Sequence, residues 1–181
     1  MSTRLAKGGR LINRTAPVEF SFNGKRFKGF QGDSLAAGLL ANDQVMVGRS
    51  FKYHRPRGPI SAGSEEPNAL VELRSGGRQE PNTRATVAEL FDGLEANSQN
   101  RWPSLRFDAM GINDRLSSFF AAGFYYKTFM WPKSFWEKLY EPIIRRAAGL
   151  GSLSKQDDPD DYDKGCLHCD LLIIGAGPAG L

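Results

Sequence analysis

Cysteine is almost missing from this sequence: its 181 residues hold only Cys166 and Cys169. That excludes a disulfide framework and fits a reducing compartment. It also leaves a zinc site short, because "CLHC" offers two thiols around His168 and no second pair completes four ligands. A thioredoxin-like redox pair stands at a helix start after a strand, whereas this pair precedes an apolar run. A cysteine packed at a strand's edge is therefore the expected reading, with disulfide formation confined to oxidising conditions. Long apolar runs are lacking too. The longest, "FFAAGFYYKTFMW", is too short to cross a bilayer and is interrupted by Lys127. "MSTRLAKGGRLINR" carries positive charge with no apolar core behind it, so a cytoplasmic location is expected. Internal repeats and low-complexity tracts are missing, and 40% hydrophobic with 24% charged residues excludes global disorder.

The net charge is only +4, yet Asp157, Asp158, Asp160, Asp161 and Asp163 are concentrated near the end. The rest of the chain is thus more basic than the total, which suits an acidic partner subunit as well as nucleic acid or a membrane.

Residues 17–30, "PVEFSFNGKRFKGF", predict a β-hairpin. Val18, Phe20 and Phe22 alternate with polar residues, Asn23-Gly24 supplies the positive φ angles of a two-residue turn, and Phe27 lies on the return strand. In "GDSLAAGLLAND", Asp33 is the expected helix cap, Leu35 and Leu39 share one face, and Asn42 is the stop. After a basic loop, "NALVELRSGG" reads as a third strand. Two strands, a helix and another strand is the opening order of a β-grasp domain, an analogy of element order that says nothing of function.

Residues 80–132 lack clean periodicity and are expected to be extended and well packed, punctuated by Trp102-Pro103 and Trp131-Pro132. The aromatics of "FFAAGFYYKTFMWPKSFW" read as core or interface rather than a cofactor cage. In "KSFWEKLYEPIIRRAAGLG", Phe135, Trp136, Leu139, Tyr140, Ile143 and Ile144 form the stripe of an amphipathic helix. Pro142 should kink it or start a second one, and Gly149 and Gly151 should end it. "SKQDDPDDYDKG" is a polar linker into the final run.

That run, "CDLLIIGAGPAGL", couples a strand-like Leu171–Ile174 to Gly175, Gly177 and Gly180 in G-x-G-x-x-G spacing. A dinucleotide-binding turn needs glycine at the tight turn, at the close approach to the pyrophosphate and at the helix–sheet contact. The covering helix and the ribose-binding acid do not follow. The chain is therefore expected to be an amino-terminal piece of a longer flavin- or nicotinamide-type protein, and the motif alone does not choose between FAD and NAD(P).

"GRSFKYHRPRG" interleaves Arg49, Lys52, His54, Arg55 and Arg57 with Phe51 and Tyr53, a pattern compatible with nucleic acid. No nucleic-acid fold signature accompanies it. Arginines bound to backbone carbonyls and to acids such as Glu65 and Glu66 are the preferred reading, ahead of a subunit contact or anion site, with nucleic acid last.

Taken together, "GRSFKYHRPRG", "EEPNALVEL", "SQNRWPSL", "AGFYYKTFMWP", "YEPIIRRAAGLG" and "HCDLLIIGAGPAG" resemble the amino-terminal region of heterotetrameric sarcosine oxidase alpha subunits, from about Gly9 onward. The resemblance implies an α+β fold: a β-grasp, 2Fe-2S ferredoxin-like domain, then a helical and extended segment and the first strand and turn of a Rossmann-type domain. The expected divisions are an extension at 1–16, the β-grasp domain at 17–95, and an aromatic-rich connection at 96–154. An acidic linker at 155–168 and the truncated nucleotide-binding start at 169–181 follow. It further implies a complex with beta, gamma and delta subunits that oxidises sarcosine to glycine, yielding hydrogen peroxide and formaldehyde or methylenetetrahydrofolate.

FAD and FMN would sit chiefly with the beta subunit and its interface, and tetrahydrofolate in a carboxy-terminal domain beyond this chain. The alpha subunit would hold NAD, with Gly175, Ala176, Gly177 and Gly180 as this chain's share of that site. No catalytic residue and no metal ligand is expected here, nor contact with nucleic acid or membrane. Related subunits carry four cysteines for a [2Fe-2S] cluster in this domain, but "RGPISAGSEEPNALVEL" contains none, so a cluster-less structural or docking domain is expected. A stand-alone β-grasp binding or assembly module is the alternative.

Overall fold

A computed structural model describes residues 3–119, 131–147 and 149–175. Alternation in the first hairpin produces strands β1 (Asn13–Phe22) and β2 (Lys25–Gln31), paired so that Phe20 faces Phe27. Asn23 (φ 50°) and Gly24 (φ 77°) turn the chain with two positive φ angles, as the strands' right-handed twist requires. Phe20, Phe22 and Phe27 are buried on one face.

Helix α1 (Leu35–Ala41) crosses that face, with Leu35 and Leu39 wholly buried and Asn42 as its stop. Its cap is Ser34, whose hydroxyl accepts from the Ala37 N–H; Asp33, the expected cap, does something else. The Asp33 carboxylate is buried, accepts the Phe30 N–H at 2.9 Å and binds Arg4 through both oxygens at 2.6 and 2.9 Å. One residue's displacement along the chain turned a cap into an anchor for the amino-terminal segment. Helix and sheet approach closely at Gly38, where a methyl group would lie 2.9 Å from Leu90 Cδ2 and 3.1 Å from Phe20 Cζ.

A short ribbon follows, β3 (Gly48–Arg49) against β4 (Pro56–Arg57), enclosing the basic segment. Strands β5 (Leu70–Leu73), β6 (Glu80–Arg84) and β7 (Leu94–Ser98) complete a five-stranded sheet of order β2-β1-β7-β5-β6. The central β1–β7 pair is parallel and its neighbours antiparallel, the β-grasp arrangement. Asn23 ties the first turn to β7 by accepting the Ser98 N–H at 2.9 Å. The core runs between α1 and the sheet and includes Leu35, Leu39, Val47, Val71, Leu90 and Leu94.

The predicted amphipathic helix is instead divided. A 3-10 turn (Lys133–Phe135) and a π turn (Trp136–Tyr140) precede the α-helix Glu141–Ala147. The α-helix begins beside Pro142, which has no N–H to continue a ladder from the preceding turn. Phe135, Trp136 and Leu139 remain about half exposed. Residues 149–160 then pass the β6 edge and the end of β7, where Asn82 accepts from Gly151, Gln99 donates to Gly149 and Arg78 pairs with Asp160. Residues 120–130 of the aromatic run lie outside the described residues.

The expected strand Leu171–Ile174 has no ladder partner among the described residues, and its side chains are exposed. A strand exists through its pairing, so the apolar sequence alone leaves only irregular chain here. Cys166 and Cys169 are exposed too, which corrects the expectation of a thiol packed at a strand's edge.

Candidate functional site

The chemistry-bearing side chains gather where the basic ribbon meets the chain after β7. Asp108 is the hub. Its Oδ1 accepts the N–H groups of Trp102 and Met110, and its Oδ2 lies 2.6 Å from His54 Nδ1 and 3.4 Å from Arg49 Nε. Arg49, 10% exposed in its side chain, donates to the carbonyls of His54, Leu105 and Arg106. The preferred reading of arginine on backbone carbonyls therefore holds at Arg49. Its acidic partner is not Glu65 or Glu66 but Asp108, far along the chain.

Lys52 and Arg55 are used locally. They lie 5.1 and 5.0 Å from the centre of the Tyr53 ring, and Arg55 pairs with Asp114 at the surface. A cleft of about 390 Å³ opens beside the ribbon, lined by Arg49, Phe51, Tyr53, Asn68, Asn100 and Leu150 among others. His54 is 4% exposed, and its Nε2 is buried with no partner among the described residues. A histidine so enclosed has no route to a substrate, and its bond to Asp108 serves to fix the ribbon.

Glu66 forms a second centre. It is fully buried, and its Oε2 accepts the N–H groups of Ile60 and Ser61 at 2.7 and 2.6 Å and the Ser61 hydroxyl at 3.1 Å. Its Oε1 accepts the Asn68 N–H at 2.7 Å. Burial pushes the carboxyl pKa up, but the amides of Ser61, Asn68 and Ile60 and the Ser61 hydroxyl together hold it below the ordinary carboxylate range. Arg84 reaches the Glu66 carbonyl rather than its carboxylate, and the Thr86 hydroxyl donates to Gly63. Sequence reasoning named Glu66 only as a partner for the ribbon's arginines, whereas its carboxylate is taken by backbone amides, a role no local pattern announces.

Of the dinucleotide-turn residues, Gly175 is described, with φ 105°, while Ala176, Gly177 and Gly180 lie outside the described residues.

Residues 15–101 match a family described as a 2Fe-2S iron-sulfur cluster binding domain. The sarcosine oxidase alpha subunit of Rhizobium meliloti (strain 1021) is 63% identical over 99% of this chain, and the matched region is 18% of that subunit. The corresponding subunits of Corynebacterium sp. strains U-96 and P-1 are 30% and 31% identical over 96% and 94% of the chain, and 13% of their own lengths. The resemblance to sarcosine oxidase alpha subunits thus extends along nearly the whole chain, which spans less than a fifth of those relatives. A crystal structure of L-proline dehydrogenase from P. horikoshii superposes over 50% of this chain and 17% of its own, at 25% identity and a TM-score of 0.38, too low to define a shared fold.

A [2Fe-2S] cluster is held by four cysteine thiolates. The matched residues contain no cysteine, and the amides best placed to face a buried anion are taken by Glu66. The residues present do not fit the cluster.

Three outcomes follow. Arg49→Ala, which strips a buried ion pair and several carbonyl contacts, should lower stability by about 2–4 kcal/mol in urea unfolding. Arg55→Ala should leave the midpoint nearly unchanged because its pair is solvated. Because the Glu66 carboxyl titrates lower when folded, its stabilisation is present above its unfolded pKa and lost as pH falls through the folded value. The stability difference between wild type and Glu66→Gln should therefore shrink on acidification below the ordinary carboxylate range; a constant difference contradicts it.

Proposed function

We propose that this chain is the amino-terminal part of the alpha subunit of a sarcosine oxidase, a multi-subunit oxidoreductase. The observation that carries this reading is 63% identity along nearly the full chain to a protein of that name. On this reading the whole complex converts sarcosine to glycine with release of hydrogen peroxide and formaldehyde or methylenetetrahydrofolate, using FAD and FMN. Residues 1–181 supply a structural domain and the beginning of the NAD site, with beta, gamma and delta subunits as partners.

The β-grasp domain at 17–95, the connection at 96–154 and the linker at 155–168 then lead to a nucleotide-binding domain starting at 169. The basic ribbon serves protein contacts rather than nucleic acid, since Arg49 is enclosed by carbonyls and Tyr53 carries two of its cations. Among the described residues no helix is long and apolar enough to cross a membrane.

In a Rossmann turn the backbone N–H groups and the helix amino terminus face the pyrophosphate from a rigid position, and the rigidity comes from a helix packed on a sheet. Among the described residues Leu171–Ile174 pair with no strand. Calorimetric titration with NAD and with FAD, on residues 1–181 and on a full-length alpha subunit, tests the assignment. The expected result is no measurable binding by the short chain and NAD binding by the long one. Micromolar affinity, roughly −8 kcal/mol, in the short chain would overturn the scaffold argument. Binding by neither would remove the dinucleotide role of Gly175, Ala176, Gly177 and Gly180.

A further inference from the structure

We propose that Glu66 stands in for the iron–sulfur cluster of this domain family, supplying the buried negative charge on which residues 60–69 close. The first support is spacing. Cluster loops of the plant-type pattern place three ligands with four and then two residues between them. Ser61, Glu66 and Ala69 have that spacing inside the matched region. A fourth position is furnished by space rather than spacing, because Thr86, on the turn after β6, bonds the Gly63 carbonyl at 2.8 Å. The neighbouring Ala85 N–H bonds the Ala69 carbonyl at 2.8 Å. These four residues lie on two segments pressed together, and all but the Ser61 side chain are recorded as buried.

The second support is electrostatic. A cluster with thiolate ligands is an anion stabilised by hydrogen bonds to its sulfurs, and successive backbone N–H groups make a concavity that favours negative charge. In this chain the N–H groups of Ile60, Ser61 and Asn68 converge on one carboxylate. Among the described residues no lysine or arginine side chain pairs with that carboxylate, so amide and hydroxyl dipoles carry its compensation. The bonds it accepts also leave it poorly disposed to ligate a metal. No group of three potential metal-ligating side chains occurs among the described residues.

The inference does not depend on the oxidase assignment. Hydrogen exchange on the 181-residue chain tests it. Glu66→Gln keeps the shape of the side chain but replaces one accepting oxygen with an NH2 group and removes the charge. Exchange at Ile60, Ser61 and Asn68 should become roughly tenfold faster or more, from the loss of charge-assisted bonds, while the β1–β2 hairpin is unaffected. Unchanged exchange at those amides overturns the proposal.

A second variant tests the location independently of any loss of stability. Ser61→Cys, Glu66→Cys, Ala69→Cys and Thr86→Cys combined, supplied with ferrous iron and sulfide under anaerobic conditions, should gain the visible absorption and rhombic reduced-state EPR signal of a [2Fe-2S] centre. Failure of that four-cysteine chain to assemble a cluster overturns the claim that Glu66 occupies the cluster's place.

Discussion

A carboxylate removed from water must be surrounded by donors, because an uncompensated one costs several kcal/mol. Asp33, Glu66 and Asp108 all meet this requirement by drawing in backbone from outside their own element. Asp33 holds Arg4 and the bend after β2, Glu66 holds the loop before β5, and Asp108 holds the basic ribbon against the chain after β7. The apolar core between α1 and the sheet fixes the strands, but it offers few large side chains to the long connections around them. Those connections are ordered by polar convergence instead, and losing one carboxylate would release two segments together.

This arrangement bears on what the domain is for. On the proposal that Glu66 takes the cluster's place, this loop carries no redox centre, and what the domain presents is a frame with a basic ribbon on one side. Beyond the frame, Phe135, Trp136 and Leu139 are about half exposed, and Leu171–Ile174 more so. Apolar side chains left in that state suit burial against further protein surface.

The legible parts of the fold were those decided by neighbours in sequence. Asn23-Gly24 between alternating phenylalanines, the Leu35–Leu39 pair and the "ALVEL" strand each carry their own signal. Strand β6, "EPNTR", does not: it contains Pro81 and Asn82 and owes its place at the sheet's edge to pairing with β5. The candidate site was harder still. Arg49 and Asp108 are 59 residues apart, and nothing local marks either as half of a buried pair. Glu66 read, with Glu65, as an acidic neighbour for the ribbon's arginines, and only the folded loop distinguishes it from exposed Glu65. The glycines at the end carry their signal in their spacing alone, and Ala176, Gly177 and Gly180 lie outside the described residues.

The claim that a protein carboxylate, and no metal, holds this loop is tested most directly by iron and acid-labile sulfide analysis of the chain produced in iron-replete cells. Its thermal unfolding would be recorded with and without a strong chelator. The account predicts no stoichiometric iron or sulfide, no cluster absorption, and one unfolding midpoint under both conditions. Stoichiometric iron and sulfide, with a midpoint that falls on chelation, would contradict it.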